Sequence, residues 1–170
     1  MNLVETPIAD LLIVEPRRFD DERGFFARTW DVEAFGPIAQ DGIAFNHAKH
    51  TLRGMHWQAE PHGEVKHVRC TRGAIWDVAV DLRPGSPTRL RWHAVELSAD
   101  NRRALHIPAG FAHGYLTLTA DAEVHYLMSV PYEPTAGRGA RWDDPAFAID
   151  WPATPAVIND RDATYPDYAP

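Results

Sequence analysis

The sequence predicts an all-β fold, a jelly-roll sandwich or barrel with only short peripheral helices. Apolar side chains recur with a period of two residues, which is the period of a strand and not that of a helix. Short runs of this kind follow one another at roughly 8–12-residue spacing, separated by turns rich in Pro, Gly, Asn and Asp. Many short strands joined by such turns are typical of jelly-roll proteins.

The clearest strand runs from Ala74 to Leu82. Its even-numbered residues are all apolar, whereas its odd-numbered residues include Asp77 and Asp81. This alternation predicts a half-buried strand with one apolar face and one face of mixed polarity.

The other elements follow from the same criteria. A short helix is predicted over Asp31–Phe35 with Asp31 as its cap, and a turn is predicted near Asp143–Phe147. The segment after Asp150 is rich in Pro, Ala and Asp, so we expect it to wrap a surface as irregular chain. The remaining strands are expected at Leu11–Val14, Trp92–Leu97, Ala104–Ile107, Gly114–Leu118 and Ala122–Val130.

Length and composition limit the function classes. A chain of 170 residues with 45% hydrophobic content is expected to form one domain, residues 1–170, around one core. The formal net charge of −7 argues against a general nucleic-acid binder. The N-terminus has no basic region, and no apolar run reaches the roughly 20 residues that cross a bilayer, so we expect no membrane partner and a cytoplasmic location. Cys70 is the only cysteine, which excludes an intrachain disulfide.

Two segments carry the residue types of an enzyme site. Arg53-Gly54-Met55-His56-Trp57-Gln58 is followed ten residues after His56 by Lys66, and much later by the run Pro108–Tyr115, which contains His113. Arginine and lysine bind anions, and histidine exchanges protons near neutral pH. A histidine base needs an orienting acceptor on its second ring nitrogen. Sequence spacing does not choose that acceptor among Asp77, Asp81, Asp144, Asp160 and Asp162.

A metal site is the competing interpretation of these histidines. Pro108-x-Gly110-x-x-His113 resembles the second metal-binding motif of cupins, which are jelly rolls. The first cupin motif has two histidines and a glutamate, and counting back from Gly73 places Glu60, His62 and Lys66 at those positions. A protonated lysine has no lone pair for a metal, so the sequence predicts a site without metal.

Longer blocks, in order along residues 10–165, closely resemble the dTDP-4-dehydrorhamnose 3,5-epimerase family. They are Asp21–Phe26, Leu52–Gln58, Lys66–Cys70, Gly73–Arg83, Gly85–Thr88, Val95–Ala99, Ile107–Gly114 and Trp142–Pro145.

The resemblance implies a cupin-like jelly roll that needs no metal and no other cofactor, acts as a homodimer and binds a nucleotide-linked 4-keto-6-deoxy sugar. In such a sugar the protons on C3 and C5 are adjacent to the C4 ketone, so removal of either gives an enolate. Reprotonation on the opposite face inverts the carbon.

The resemblance also assigns roles to residues. His56 matches the family's base, Asp162 the carboxylate paired with it, Lys66 the cation at the enolate oxygen, and Tyr126 the proton donor on the opposite face. The positions that match substrate-binding residues are Arg23, Phe26, Asn46, Arg53, His113 and Tyr132.

Departures from the family pattern leave the substrate open. Arg28 stands where the family commonly has Glu, the segment 45–51 is about three residues shorter than usual, and His67 replaces a residue that is usually apolar. Inversion at C3 or C5 only, another nucleotide and another ketosugar, including a heptose, therefore remain alternatives. A metal-dependent cupin enzyme and a non-catalytic nucleotide-sugar binding protein are the alternatives from other classes.

The strand at Leu11–Val14 bears on assembly. We expect it to lie at a sheet edge, where unpaired backbone groups are available to a partner chain.

Overall fold

Two antiparallel sheets pack face to face and form a β-sandwich, which confirms the predicted all-β jelly-roll class. The computed structural model describes residues 1–169, which contain thirteen strands and two short helices. The first sheet has the spatial order β1 (Asn2–Glu5), β2 (Leu12–Glu15), β10 (Ala104–Ile107), β7 (Lys66–Arg72), β12 (Ala122–Met128) and β5 (Gln40–Asn46). The second sheet has the order β13 (Gly137–Gly139), β6 (Leu52–Gln58), β11 (Phe111–Thr117), β8 (Ala74–Asp81) and β9 (Trp92–Ser98).

A separate hairpin and the two helices complete the fold. The hairpin pairs β3 (Arg18–Asp21) with β4 (Gly24–Ala27) and was not predicted from the sequence. Helix α1 (Val32–Phe35) is capped by Asp31 as predicted, because the Asp31 side chain accepts a hydrogen bond from the N–H of Glu33. Helix α2 (Asp160–Ala163) lies in the segment that was expected to be irregular. Within residues 1–169, neither helix has the length and apolar character needed to cross a bilayer.

The main core lies between the two sheets. Val68 and Leu105 of the first sheet pack against Ile75, Leu97 and Tyr115 of the second, and each of these five residues is at most 1% exposed. Their positions follow from the two-residue period, since alternate side chains of each strand point to the same face.

The prediction of a half-buried strand at Ala74–Leu82 is wrong, because β8 is buried on both faces. Its even-numbered apolar residues, such as Val78, lie in a second apolar cluster with Phe147, and Trp151 and Tyr168 of the C-terminal segment pack against that cluster. Its odd-numbered residues face the main core, and Asp77 among them is fully buried. The C-terminal segment covers the face that would otherwise meet water.

The expected edge position of Leu11–Val14 is also wrong. Strand β2 lies between β1 and β10, so both of its edges are already paired. Among the described strands, β1 and β5 form the edges of this sheet.

His67 lies on the outer face of the first sheet, beneath Trp30 and Phe35. It is 1% exposed, and neither ring nitrogen makes a hydrogen bond of standard geometry. Its ring centroid is 5.1 Å from that of Trp30 and 5.4 Å from that of Phe35. Burial, together with the neighbouring charges of His106 and Arg69, lowers the pKa of His67 from 6.5 to about 3.

This buried histidine is expected to make the fold sensitive to acid. Between pH 6.5 and about 3 the unfolded chain binds a proton at His67 that the folded chain does not bind. The free energy of unfolding therefore falls as the pH drops below 6.5, by up to about 1.4 kcal/mol per pH unit from this one group. Denaturant unfolding at a series of pH values should show a shallower acid loss in His67→Leu than in the wild type. The exposed-site variant His62→Leu is the control, and equal acid slopes in the wild type and His67→Leu would contradict the assignment.

Candidate active site

A cavity of about 360 Å³ opens between the two sheets and collects most of the residues that the sequence analysis singled out. Strands β5, β7 and β12 of the first sheet and β6 and β11 of the second contribute to its walls, and the segment at α2 closes one side. Its lining residues are Gly42, Ile43, Ala44, Arg53, His56, Lys66, His113, Tyr115, Tyr126, Met128, Asn159, Arg161 and Asp162.

His56 and Asp162 form a hydrogen-bonded pair in this cavity. His56 Nε2 lies 2.8 Å from Asp162 Oδ1, and the backbone N–H of Gly54 donates to Asp162 Oδ2 at 3.0 Å. The His56 side chain is 31% exposed, whereas that of Asp162 is 1% exposed. Burial alone would raise the pKa of Asp162, but the hydrogen bond and charge of His56, with the Gly54 N–H and Arg161, lower it overall. Asp162 is therefore an ionised acceptor that orients the His56 ring.

Local sequence explains how this pair forms. Asn159 caps α2 by accepting a hydrogen bond from the Asp162 N–H at 2.7 Å, which fixes the first turn of the helix against β6. Gly54 allows β6 and β11 to approach closely, because a Cβ at that position would lie 2.5 Å from the Cα of Gly114. Its φ of +126° is also a conformation that residues with side chains rarely adopt.

The other aspartates considered as partners of a base have different surroundings. Asp77 Oδ1 lies 2.8 Å from His113 Nε2, and Asp81 accepts from Arg83. Asp144 accepts from the backbone N–H of Ala146 in the turn at 143–147, which takes the predicted turn conformation. Asp160 is exposed.

Lys66 lies at the start of β7. Its Nζ is 2.9 Å from Glu64 Oε1 and 3.5 Å from the carbonyl oxygen of His56. The ammonium is thus held close to the strand that carries the candidate base.

Two tyrosines stand on the wall of the cavity. Burial, together with the neighbouring hydroxyl of Tyr115, raises the pKa of Tyr126 well above its ordinary value. Burial also raises the pKa of Tyr115, whose hydroxyl donates to Asn46 Oδ1 at 3.2 Å. Both phenols are therefore protonated at neutral pH, and the Tyr115 proton is already donated to Asn46.

Asn46 anchors Arg53 at the mouth of the cavity. The Nε of Arg53 donates to Asn46 Oδ1 at 2.8 Å, and Asn46 Nδ2 donates to the carbonyl of Ala122 at 3.1 Å. Asn46 is buried, whereas the Arg53 side chain is exposed. The guanidinium thus keeps free N–H groups that can meet a solvent-borne anion.

A second cavity of about 560 Å³ adjoins the first and shares His56 and Arg161 with it. Tyr132 and Tyr165 line it, as does Glu64. Tyr132 was predicted from the sequence as a site residue, whereas Arg161 and Tyr165 were not.

Arg23 and Phe26 are not brought to either cavity of this chain. Both lie on the β3–β4 hairpin, where the Arg23 side chain is 85% exposed and Phe26 is 67% exposed. Arg23 pairs with Asp21 of the same hairpin.

The lining residues that were not predicted from the sequence include Glu64, Tyr115, Arg161 and Tyr165. Tyr115 lies two residues after His113, so strand alternation could have placed it on the same face. No comparable signal was available for Glu64 or Arg161. Within residues 1–169, no group of three or more His, Cys, Asp or Glu side chains is arranged to hold a metal ion.

Nearly the whole chain is similar to proteins of one known enzyme family. The model of the dTDP-4-dehydrorhamnose 3,5-epimerase family matches residues 5–169. The dTDP-4-dehydrorhamnose 3,5-epimerase of Escherichia coli is 46% identical over 164 residues, covering 93% of this chain and 89% of that protein.

Two solved structures show the same fold. The dTDP-6-deoxy-D-glucose-3,5-epimerase of Legionella pneumophila, in complex with dTDP-4-keto-L-rhamnose, has a TM-score of 0.87 at 37% identity and covers 95% of this chain and 89% of its own. A 3'-monoepimerase from Streptomyces bikiniensis, in complex with dTDP-quinovose, has a TM-score of 0.86 at 35% identity and covers 95% of this chain and 85% of its own.

Proposed function

This chain belongs to the dTDP-4-dehydrorhamnose 3,5-epimerase family of enzymes, and we propose that it inverts C3 and C5 of dTDP-4-keto-6-deoxyglucose without a metal or a redox cofactor. The observation that carries the proposal is that His56 and Tyr126 enter one cavity from opposite sheets. A base and an acid on opposite sides of a sugar ring are what inversion through an enolate requires.

His56 is the base in this proposal. Its ring reaches the cavity on one side and is hydrogen-bonded to the buried Asp162 carboxylate on the other. That carboxylate selects the tautomer and stabilises the imidazolium that forms when a proton is taken from C3 or C5. The second histidine pair, His113 with Asp77, is less suited, because the His113 side chain is only 6% exposed.

Lys66 stabilises the enolate. Its ammonium lines the same cavity as His56, so a ketone oxygen placed against it there would meet a positive charge as negative charge develops. Preorganised charge of this kind lowers the barrier because it need not reorganise during the reaction. Tyr126, kept protonated by its raised pKa, then delivers a proton to the opposite face of the carbon.

The nucleotide diphosphate is assigned to the basic mouth of the cavity. Arg53, with its exposed guanidinium, and Arg161, which lines both cavities, supply paired N–H donors for phosphate oxygens. Tyr132 lies in the second cavity and offers an aromatic face to the nucleobase of the substrate.

A homodimer would give the β3–β4 hairpin a role. Arg23 and Phe26 match substrate-binding positions of the family but lie away from both cavities of their own chain. We therefore propose that the whole chain acts as one domain within a homodimer, and that its hairpin reaches the cavity of the partner subunit.

The proposal is tested by incubation of the protein with dTDP-4-keto-6-deoxyglucose and determination of product configuration by NMR. Inversion at both carbons supports the full proposal. Inversion at C3 only would assign the chain to the activity of the Streptomyces bikiniensis relative, and no conversion would exclude this substrate.

Asp162→Asn is expected to lower the epimerisation rate by about 10²- to 10⁴-fold. An amide in place of the carboxylate removes the charge that stabilises the imidazolium, and its N–H₂ group favours the wrong tautomer of His56. Steady-state rates at neutral pH measure the loss. Asp160→Asn is the matched control, because Asp160 is exposed in the same helix. Equal losses in the two variants would refute a specific role for Asp162.

A further inference from the structure

Lys66, the candidate enolate stabiliser, forms an ion pair with the carboxylate of Glu64. Glu64 Oε1 lies 2.9 Å from Lys66 Nζ, and the two side chains are 10% and 11% exposed. Ion pairs on the surface are screened by water and hold their partners weakly, whereas a pair shielded to this extent interacts strongly. The Lys66 ammonium therefore has a defined partner rather than a solvated, mobile position.

The position of Glu64 leaves one side of the ammonium free. Glu64 lies in the segment that leads into β7 and lines the second cavity, whereas Lys66 lines the first. Glu64 is not part of the wall of the first cavity. The carboxylate thus approaches Lys66 from the second cavity, and the side that faces the first cavity stays open for a substrate oxygen.

We infer that Glu64 is a positioning residue for epimerisation, which aims the Lys66 ammonium at the first cavity and preserves its charge before substrate binds. A lysine side chain has a flexible four-carbon stem, so a fixed partner reduces its range of positions. Burial disfavours a charged ammonium, and a nearby carboxylate opposes that effect. The inference rests on the proposed function, because it assumes that Lys66 acts at the enolate oxygen.

Among the described residues, the remaining surroundings of Lys66 contain no substitute for Glu64. In the strands on either side of β7, Lys66 is in register with the uncharged Ile107 and Met128. Within residues 1–169, Glu64 is the carboxylate in ion-pair contact with Lys66. The titratable groups that share the first cavity with Lys66 are Arg53, His56, His113, Tyr115, Tyr126, Arg161 and Asp162.

The test compares two substitutions of Glu64 by the rate of solvent deuterium exchange into the ketosugar, from neutral to alkaline pH. Glu64→Gln keeps the size and a hydrogen-bond acceptor but removes the charge. We expect the exchange rate at neutral pH to fall about tenfold. The loss of exchange activity at alkaline pH should begin about one pH unit lower than in the wild type. Glu64→Asp keeps the charge but moves it by one methylene, so its rate should fall while the alkaline limb stays at the wild-type position.

The pH profile separates this role from a purely structural one. Partial loss of folded protein lowers the rate by the same factor at every pH and does not move the alkaline limb. The matched control is Glu96→Gln, which removes the same charge from an exposed position on β9. It should change neither the exchange rate nor the position of the alkaline limb.

Two further outcomes distinguish this inference from the proposed function. Lys66→Met should lose exchange by about 10²- to 10³-fold. If it does, while Glu64→Gln keeps the wild-type rate or slows without a shift of the alkaline limb, the inference about Glu64 is wrong and the proposed function stands. If Lys66→Met exchanges at the wild-type rate, the role of Lys66 in the proposed function is wrong and the inference fails with it.

Discussion

Replacement of His56 by Ala is expected to abolish solvent exchange at both C3 and C5 of the ketosugar while nucleotide affinity stays largely intact. General-base catalysis contributes about 10²- to 10⁴-fold, and the loss should lie at the upper end because Asp162 is left without the ring that it orients. The phosphate contacts assigned to Arg53 and Arg161 do not involve His56, so binding should survive. Exchange is followed by NMR in D2O, and dTDP affinity by calorimetric titration.

Two comparisons make this result specific. His62→Ala removes an exposed histidine near the same strand and should exchange at the wild-type rate. If His56→Ala also exchanges at that rate, and exchange is lost only when His113 is replaced, the base is the His113–Asp77 pair and the assignment of His56 is wrong.

Tyr126→Phe is expected to separate proton removal from inversion. The substitution deletes one oxygen, so His56 and Lys66 can still form the enolate and exchange the proton on their own side of the ring. Formation of the inverted product should fall by about 10²- to 10⁴-fold, because water replaces a positioned acid. Deuterium content and product configuration are read from the same NMR spectra.

Tyr132→Phe is the matched control, since Tyr132 lies in the second cavity and is assigned to the nucleotide. It should leave the ratio of exchange to inversion unchanged. If Tyr126→Phe forms the epimer at the wild-type rate, another donor protonates the enolate, and Tyr115 would be the first candidate because it lines the same cavity.

Strand alternation predicts strands such as β8, because the pattern depends only on the polarity of successive side chains within one segment. The strand expected at Ala74–Leu82 appears as β8 for this reason. Alternation does not report which other segment covers a face, so the burial of β8 by Trp151 and Tyr168 was not predictable. Strand β1 and the β3–β4 hairpin are short and largely exposed, so they have no buried face that the period could reveal. The missed pairing of β1 is the cause of the error about Leu11–Val14.

The candidate site was predictable in part. Residues on strands β6, β7 and β11 could be proposed from their types and confirmed as neighbours by the structure. The partner of His56 could not be found by spacing, because Asp162 is 106 residues away and four other aspartates were equally acceptable. The family resemblance named Asp162, and the fold brings it within hydrogen-bonding distance. Glu64 was not named at all, since its relation to Lys66 depends on the packing of two side chains that the sequence does not describe.

The most direct test of the central claim is the deuterium content of the product formed by the wild-type protein from dTDP-4-keto-6-deoxyglucose in D2O. Abstraction by His56 and return of a solvent-derived proton through Tyr126 predict one deuterium at C3 and one at C5, each in the inverted configuration. An inverted product with hydrogen retained at both carbons, or exchange that continues unchanged when His56 and Tyr126 are both replaced, would contradict it.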